Sequence, residues 1–171
     1  MTTETRNPCI LGIVPGLSGA IAFYFPAEPT LVTAEDVPVA GGEIDAATLA
    51  ARLTQMRPTL AVIERVGAMP KQGVSSTFKF GQAYGAVRGA VQALGISHVL
   101  VTPATWKRHF RLDADKERSR ALALRYWPTG DSFRRKMDHG RAEAALLARY
   151  GAEVVLKEYL EGGFSALDSA A

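Results

Sequence analysis

From Thr59 the chain runs through Leu60-Ala-Val-Ile63 without a polar break and then stops on a carboxylate, Glu64. A stretch this short and this uniformly apolar reads as a strand covered on both faces, as in α/β sheets with helices above and below. The run also leaves a charge where the strand exits the core. An unpaired carboxylate there is costly without a cation or a hydrogen-bond donor beside it.

The flanking sequence fits the same layer. Residues 9–14 and 19–25 are apolar runs about a Pro15-Gly16 break and predict a β-hairpin. Residues 31–39 read as a third strand, with Val32 and Val37 flanking acidic residues at the sheet edge or end. Helical spacing of Ala46, Leu49, Ala50 and Leu53, behind Asp45 as N-cap, predicts a helix over 46–56 that Pro58 ends. Residues 66–74 form a loop, after which Ser75 or Ser76 caps a long helix to about residue 94. Gly81, Gly85 and Gly89 fall inside that helix, each at a cost of about 1 kcal/mol relative to alanine. A close neighbouring helix or strand is the expected reason, with a dimer seam as the other reading. A fifth strand at 96–101 follows, then helices at 103–108, 115–127 and about 138–150. The order predicts one domain over 1–171, a mixed five-stranded α/β sheet flanked by helices, with flexible ends at 1–8 and 162–171.

Composition bounds the function. With 47% hydrophobic and 22% charged residues the chain is globular rather than disordered. No apolar run approaches the roughly 18–20 residues that span a bilayer, so no membrane role is expected. The polar start, without the apolar core of a signal peptide, points to the cytoplasm. Cys9 alone forms no internal disulfide and anchors no zinc cluster; it reads as a small buried residue of the first strand. The net charge is only +3, but its distribution is uneven. Between Arg65 and Leu112 there is no acid, while Lys71, Lys79, Arg88, Lys107, Arg108 and Arg111 all fall there, and Arg134, Arg135 and Lys136 form a second run. Such clusters suit a polyanion such as DNA, and a solvated helical face explains them equally well.

Several segments resemble the RuvC-type Holliday junction resolvases, in their phage and bacterial branch. Ile10-Leu-Gly-Ile-Val-Pro-Gly-Leu-Ser-Gly19 is similar to that family's opening strand and turn, and Ala61-Val-Ile-Glu64 to its strand ending in a catalytic glutamate. The stretch from Met69 to Gly85, Thr102-Pro-Ala-Thr-Trp-Lys107, and Asp138-His-Gly-Arg-Ala-Glu143 with its continuation to Ala148 follow in the family's order. The resemblance covers roughly residues 10–151. It implies a ribonuclease-H-like fold, cleavage of branched DNA as a crossover-junction endodeoxyribonuclease, and a homodimer matching a four-way junction. It also implies carboxylates holding Mg2+, or Mn2+, for hydrolysis with two ions. Glu64 and Glu143 are the implied ligands, with His139 and Asp138 competing for a further place. Helix geometry puts His139 and Glu143 on one face, four residues apart, whereas Asp138 is equally suited to capping that helix. A salt bridge from Glu64 to Arg65 or Lys107 is the plain structural alternative.

The departure is Val14, which stands where the family's first catalytic aspartate is expected. Valine offers no oxygen to an ion, so activity should suffer while folding survives. Three explanations are open: an introduced inactivating substitution, a relative that binds without cutting, or a rebuilt metal site. Candidate DNA contacts are Met69, Lys71, Gln72, Phe78, Lys79, Lys107 and Arg108, with Ser75 and Ser76 opening a helix whose N–H groups suit a phosphate. Phe78 or Met69 could wedge an unstacked base, whereas Phe80, Trp106 and Trp127 are expected to pack. His98 and His109 are expected at a strand end and in a surface contact.

Overall fold

A computed structural model describes residues 7–67 and 70–162. Five strands form one mixed sheet: β1 (Ile10–Val14), β2 (Ala20–Tyr24), β3 (Val32–Asp36), β6 (Leu60–Glu64) and β7 (His98–Val101), ordered β3-β2-β1-β6-β7. β1 pairs antiparallel with β2, and β2 with β3, while β6 lies parallel to both β1 and β7. A two-stranded ribbon of β4 (Val39–Ala40) and β5 (Glu43–Ile44) follows β3. The expected third strand therefore ends three residues early, and the ribbon, too short to carry an alternating pattern, is not announced by the sequence.

The sheet is covered on both faces, as the apolar run of β6 requires. One face packs α1 (Ala46–Met56) and α2 (Val74–Ala93) over Leu11, Ile13, Ile21, Phe23, Ala61 and Ile63. The other face packs α5 (His139–Tyr150), with α3 (Pro103–His109) and α4 (Lys116–Tyr126), over Ile10, Ala20, Ala22, Leu60 and Val62. Alternation along each strand sorts these residues. α5 then continues through a π-helical turn at Gly151–Val155 into α6 (Leu156–Gly162), beyond the predicted end at residue 150.

Local signals explain most boundaries. Asp45 accepts from the Thr48 backbone N–H at 3.0 Å and caps α1, and Arg57, in the left-handed region at φ 49°, closes it ahead of Pro58. Asp115 caps α4. The expectation for α2 is corrected: the helix opens at Val74 behind Gly73, so Ser75 and Ser76 lie in its first turn and no side chain caps it. Its glycines also lack the expected close neighbour among the described residues. Side chains built at Gly81, Gly85 or Gly89 would meet nothing within 4 Å. Close approach occurs instead at Gly12, where a Cβ would lie 2.1 Å from the Ala144 carbonyl oxygen of α5. Glycine here, with Ala144 and Ala148 opposite, lets α5 lie directly on β1, and Gly151 makes a similar close approach to Val62 and Ile10 beyond it. Trp106 and Trp127 are buried core residues, as expected.

Candidate functional site

Parallel pairing of β1 and β6, with Ile13 opposite Ile63, ends the two strands side by side at Val14 and Glu64. Both belong to the register that faces α5. Two further elements complete the centre. α5 presents Glu143 in its second turn, and α3 presents the adjacent pair Trp106 and Lys107. The Trp106 indole Nε1–H donates to Glu64 Oε2 at 2.8 Å, and Lys107 Nζ donates to Glu143 Oε1 at 2.9 Å. Glu64 therefore finds its donor in Trp106, and neither Arg65 nor Lys107 forms the salt bridge considered as its alternative. The Lys107 ammonium also lies 5.3 Å from the centre of the Trp106 ring.

Burial raises the Glu64 carboxyl above its ordinary range; the Trp106 hydrogen bond opposes this, and like charge from Glu143 adds to it. The folded protein thus keeps a proton that the unfolded chain has already released. Between the ordinary carboxylate range and the raised value, stability falls as pH increases. Glu64→Gln removes that cost while keeping an acceptor for Trp106. The variant is expected to melt above the parent at neutral pH and to lose this advantage below about pH 4. Paired thermal melts across that range check it.

A second charged cluster lies on the other side of Val14. Asp36 stands opposite Ala20, which stands opposite Val14, so Asp36, Ala20, Val14 and Glu64 form a row along the sheet end. Arg141 of α5 grips Asp36 with two hydrogen bonds of 2.8 Å. This bonding holds the Asp36 carboxyl below its usual range. Asp138 sits at the start of α5 but makes no capping bond to it. Its buried carboxylate accepts from the Arg135 backbone N–H at 2.8 Å and from the guanidinium at 3.0 and 2.8 Å. Burial works against its ionisation, and the Arg135 bonds outweigh that and lower its pKa. His139 begins α5 one turn ahead of Glu143, half-buried, with no hydrogen bond from its ring to either glutamate.

The structure therefore brings Glu64, Glu143 and Lys107 together beside Val14. Asp138 is committed to arginine, and among the described residues no three His, Cys, Asp or Glu side chains converge as metal donors. A pair of carboxylates already engaged by an indole and an ammonium does not fit a two-ion centre. The Lys107 ammonium sits between this acid pair and a basic surface. Lys107, Arg108 and Arg111 line an open cavity of about 650 Å³ with Pro103, Leu112 and Asp113. Gln72, Arg65 and Phe80 line another of about 380 Å³ with Val66, Gly67 and Pro103. Lys71, Ser75, Ser76, Phe78 and Lys79 are exposed along the loop and first turns of α2, and Met69 lies outside the described residues. His98 opens β7 and His109 pairs with Glu153 at the surface, matching their expected places.

Sequence reasoning missed Trp106 as the donor to Glu64, although its neighbour Lys107 was singled out. It missed Arg141 and Arg135 as well. Arg141 meets Asp36 across 105 positions, and no local pattern carries that signal.

The order and directions of the strands match the ribonuclease-H-like fold of RuvC. Thermus thermophilus RuvC bound to a Holliday junction substrate superposes with a TM-score of 0.59 at 16% identity, over 85% of this chain and 95% of that one. Thermus thermophilus RuvC in a further structure gives 0.58 at 16% identity, over the same shares of 85% and 95%. The yeast mitochondrial Holliday junction resolvase gives 0.49 at 17%, over 91% of this chain and 82% of that one. No protein-family profile and no curated protein sequence matches the chain.

Proposed function

We propose that this protein binds branched DNA, four-way junctions foremost, as a homodimer on a junction-nuclease scaffold, and that its own cleavage is impaired at Val14. The observation that carries the reading is the sheet end itself. Val14 ends β1 beside Glu64, Arg65 follows Glu64, Arg108 and Arg111 line the cavity that Lys107 enters, and among the described residues none of these three arginines has a carboxylate partner. Cations free of internal pairing are available to phosphates, and the uncapped first turn of α2 offers further backbone N–H groups. The Thermus RuvC structure with a Holliday junction substrate supports a branched ligand for this fold.

Affinity for a four-way junction is expected to exceed that for linear duplex of equal length, and to fall steeply with salt as phosphate contacts release counterions. Fluorescence anisotropy across a salt series measures both. Equal affinity for junction and duplex would defeat the proposal.

The dimer reading is supported by the outward face of α2. Val74, Phe78, Gly81, Gly85 and Gly89 are exposed and uncharged on one side of the helix, with Val74 88% and Phe78 66% accessible. Gly85→Trp, which meets open space within the chain, should leave thermal stability nearly unchanged yet convert the dimer to a monomer in light scattering. A Gly85→Trp protein that stays dimeric removes α2 as the seam.

A second reading, a junction-binding protein with no latent activity, is favoured by the Lys107–Glu143 pair and by the lack of a third donor among the described residues. Val14→Asp separates the two.

A further inference from the structure

We infer that Lys107 is the resident cation of the Glu64–Glu143 pair and closes this centre to divalent ions in the free protein. The inference concerns the acid pair alone and holds whether or not the protein binds branched DNA. A magnesium or manganese ion at this place needs carboxylate oxygens with free lone pairs. Here one oxygen of each carboxylate is already engaged, Glu143 Oε1 by the Lys107 ammonium at 2.9 Å and Glu64 Oε2 by the Trp106 indole at 2.8 Å, and the ammonium repels a second cation from the oxygens that are left.

Both donors are consecutive residues of one short helix, so they act as a single clamp. Trp106 is fully buried and fixes the backbone from which Lys107 extends, and the ammonium is also held against the Trp106 ring. The Lys107 and Glu143 side chains are only 15% and 8% exposed, so water replaces little of this pairing. The positive potential of Lys116 also reaches Glu64. An entering divalent ion must expel an ammonium from a shielded seat and meets further positive charge around it. Val14 supplies no oxygen in return. Across the row, Arg141 and Arg135 neutralise Asp36 and Asp138 in the same manner, so every carboxylate of this sheet end already has a nitrogen partner.

Replacing the ammonium by an uncharged side chain of similar length should open the seat, because two carboxylates are then left without a cation. The test titrates manganese into the full chain without DNA and follows free Mn2+ by electron paramagnetic resonance. The parent protein and Lys107→Arg are expected to take up none below about 1 mM, whereas Lys107→Met and Lys107→Gln should each bind one equivalent. Adding Glu143→Gln to either should abolish that uptake. Manganese uptake by the parent protein that disappears in Glu143→Gln overturns the inference. So does a folded Lys107→Met or Lys107→Gln protein, checked by circular dichroism, that binds no manganese. Junction affinity is not read in this experiment, so a failed DNA-binding assay leaves its outcome intact.

Discussion

Val14→Asp is expected to give a chain that cuts four-way junctions with magnesium or manganese, raising cleavage by at least about a hundredfold over the parent. The substitution acts at the end of β1, where Val14 is only half-buried, so an aspartate can be accommodated with the loss of about 1–2 kcal/mol of apolar packing. Register places the new carboxylate beside Glu64 on the face that carries Glu143, and a third acid then outweighs the single ammonium of Lys107. Nicks in labelled four-way junctions, resolved on denaturing gels, give the readout. Cleavage should vanish when the ions are chelated and when Glu64→Gln is added. A variant that binds junctions and never nicks them leaves only the silent binding reading. Stronger cleavage of RNA–DNA hybrids than of junctions would redirect the activity to another ribonuclease-H-like class.

Gly12→Ala should be the most damaging conservative change for the fold. The added Cβ would lie 2.1 Å from the Ala144 carbonyl oxygen, 2.6 Å from the Ala148 amide nitrogen and 3.0 Å from the Ala148 Cβ. Two of these atoms are backbone, so no rotamer change relieves the clash, and α5 must move off the sheet. Overpacking of a close core costs about 1–3 kcal/mol where side chains can shift, and more is expected here. A fall in melting temperature of about 10 °C follows for a chain of this size. The same displacement draws Glu143 away from Glu64, so Gly12→Ala combined with Val14→Asp should cleave far less than Val14→Asp alone. A combined variant as active as Val14→Asp would show that the contact of α5 with β1 does not set the acid pair.

The strands and helices were largely legible because each carries its own period or cap. β6 reads as buried from its unbroken apolar run, and α1 announces both ends through Asp45 and Pro58. The start of α2 was misplaced because Ser75 and Ser76 are good capping residues that the fold does not use, Gly73 occupying the boundary instead. Its glycines predicted a close helix or strand or a dimer seam, and among the described residues no neighbour lies within reach. Glu64 and Glu143 were singled out by the resemblance of their segments to a known family, and the fold brings the two side by side. Their partners were not, because Trp106 reaches Glu64 across 42 positions and Lys107 reaches Glu143 across 36.

By itself, then, the sequence determined the layer order, the carboxylate at the end of β6, the basic character of the region after it, and the valine at residue 14. Hydrophobic period, capping chemistry and residue identity are properties of neighbouring positions, and they need no fold to be read. The tertiary structure alone decided which nitrogen answers which carboxylate. Trp106 and Lys107 take Glu64 and Glu143, while Arg141 and Arg135 take Asp36 and Asp138. Hydrogen bonds of this kind act over about 3 Å and depend on where α3 and α5 settle against the sheet. That placement follows from packing at Gly12 and around Trp106, between residues far apart in the chain.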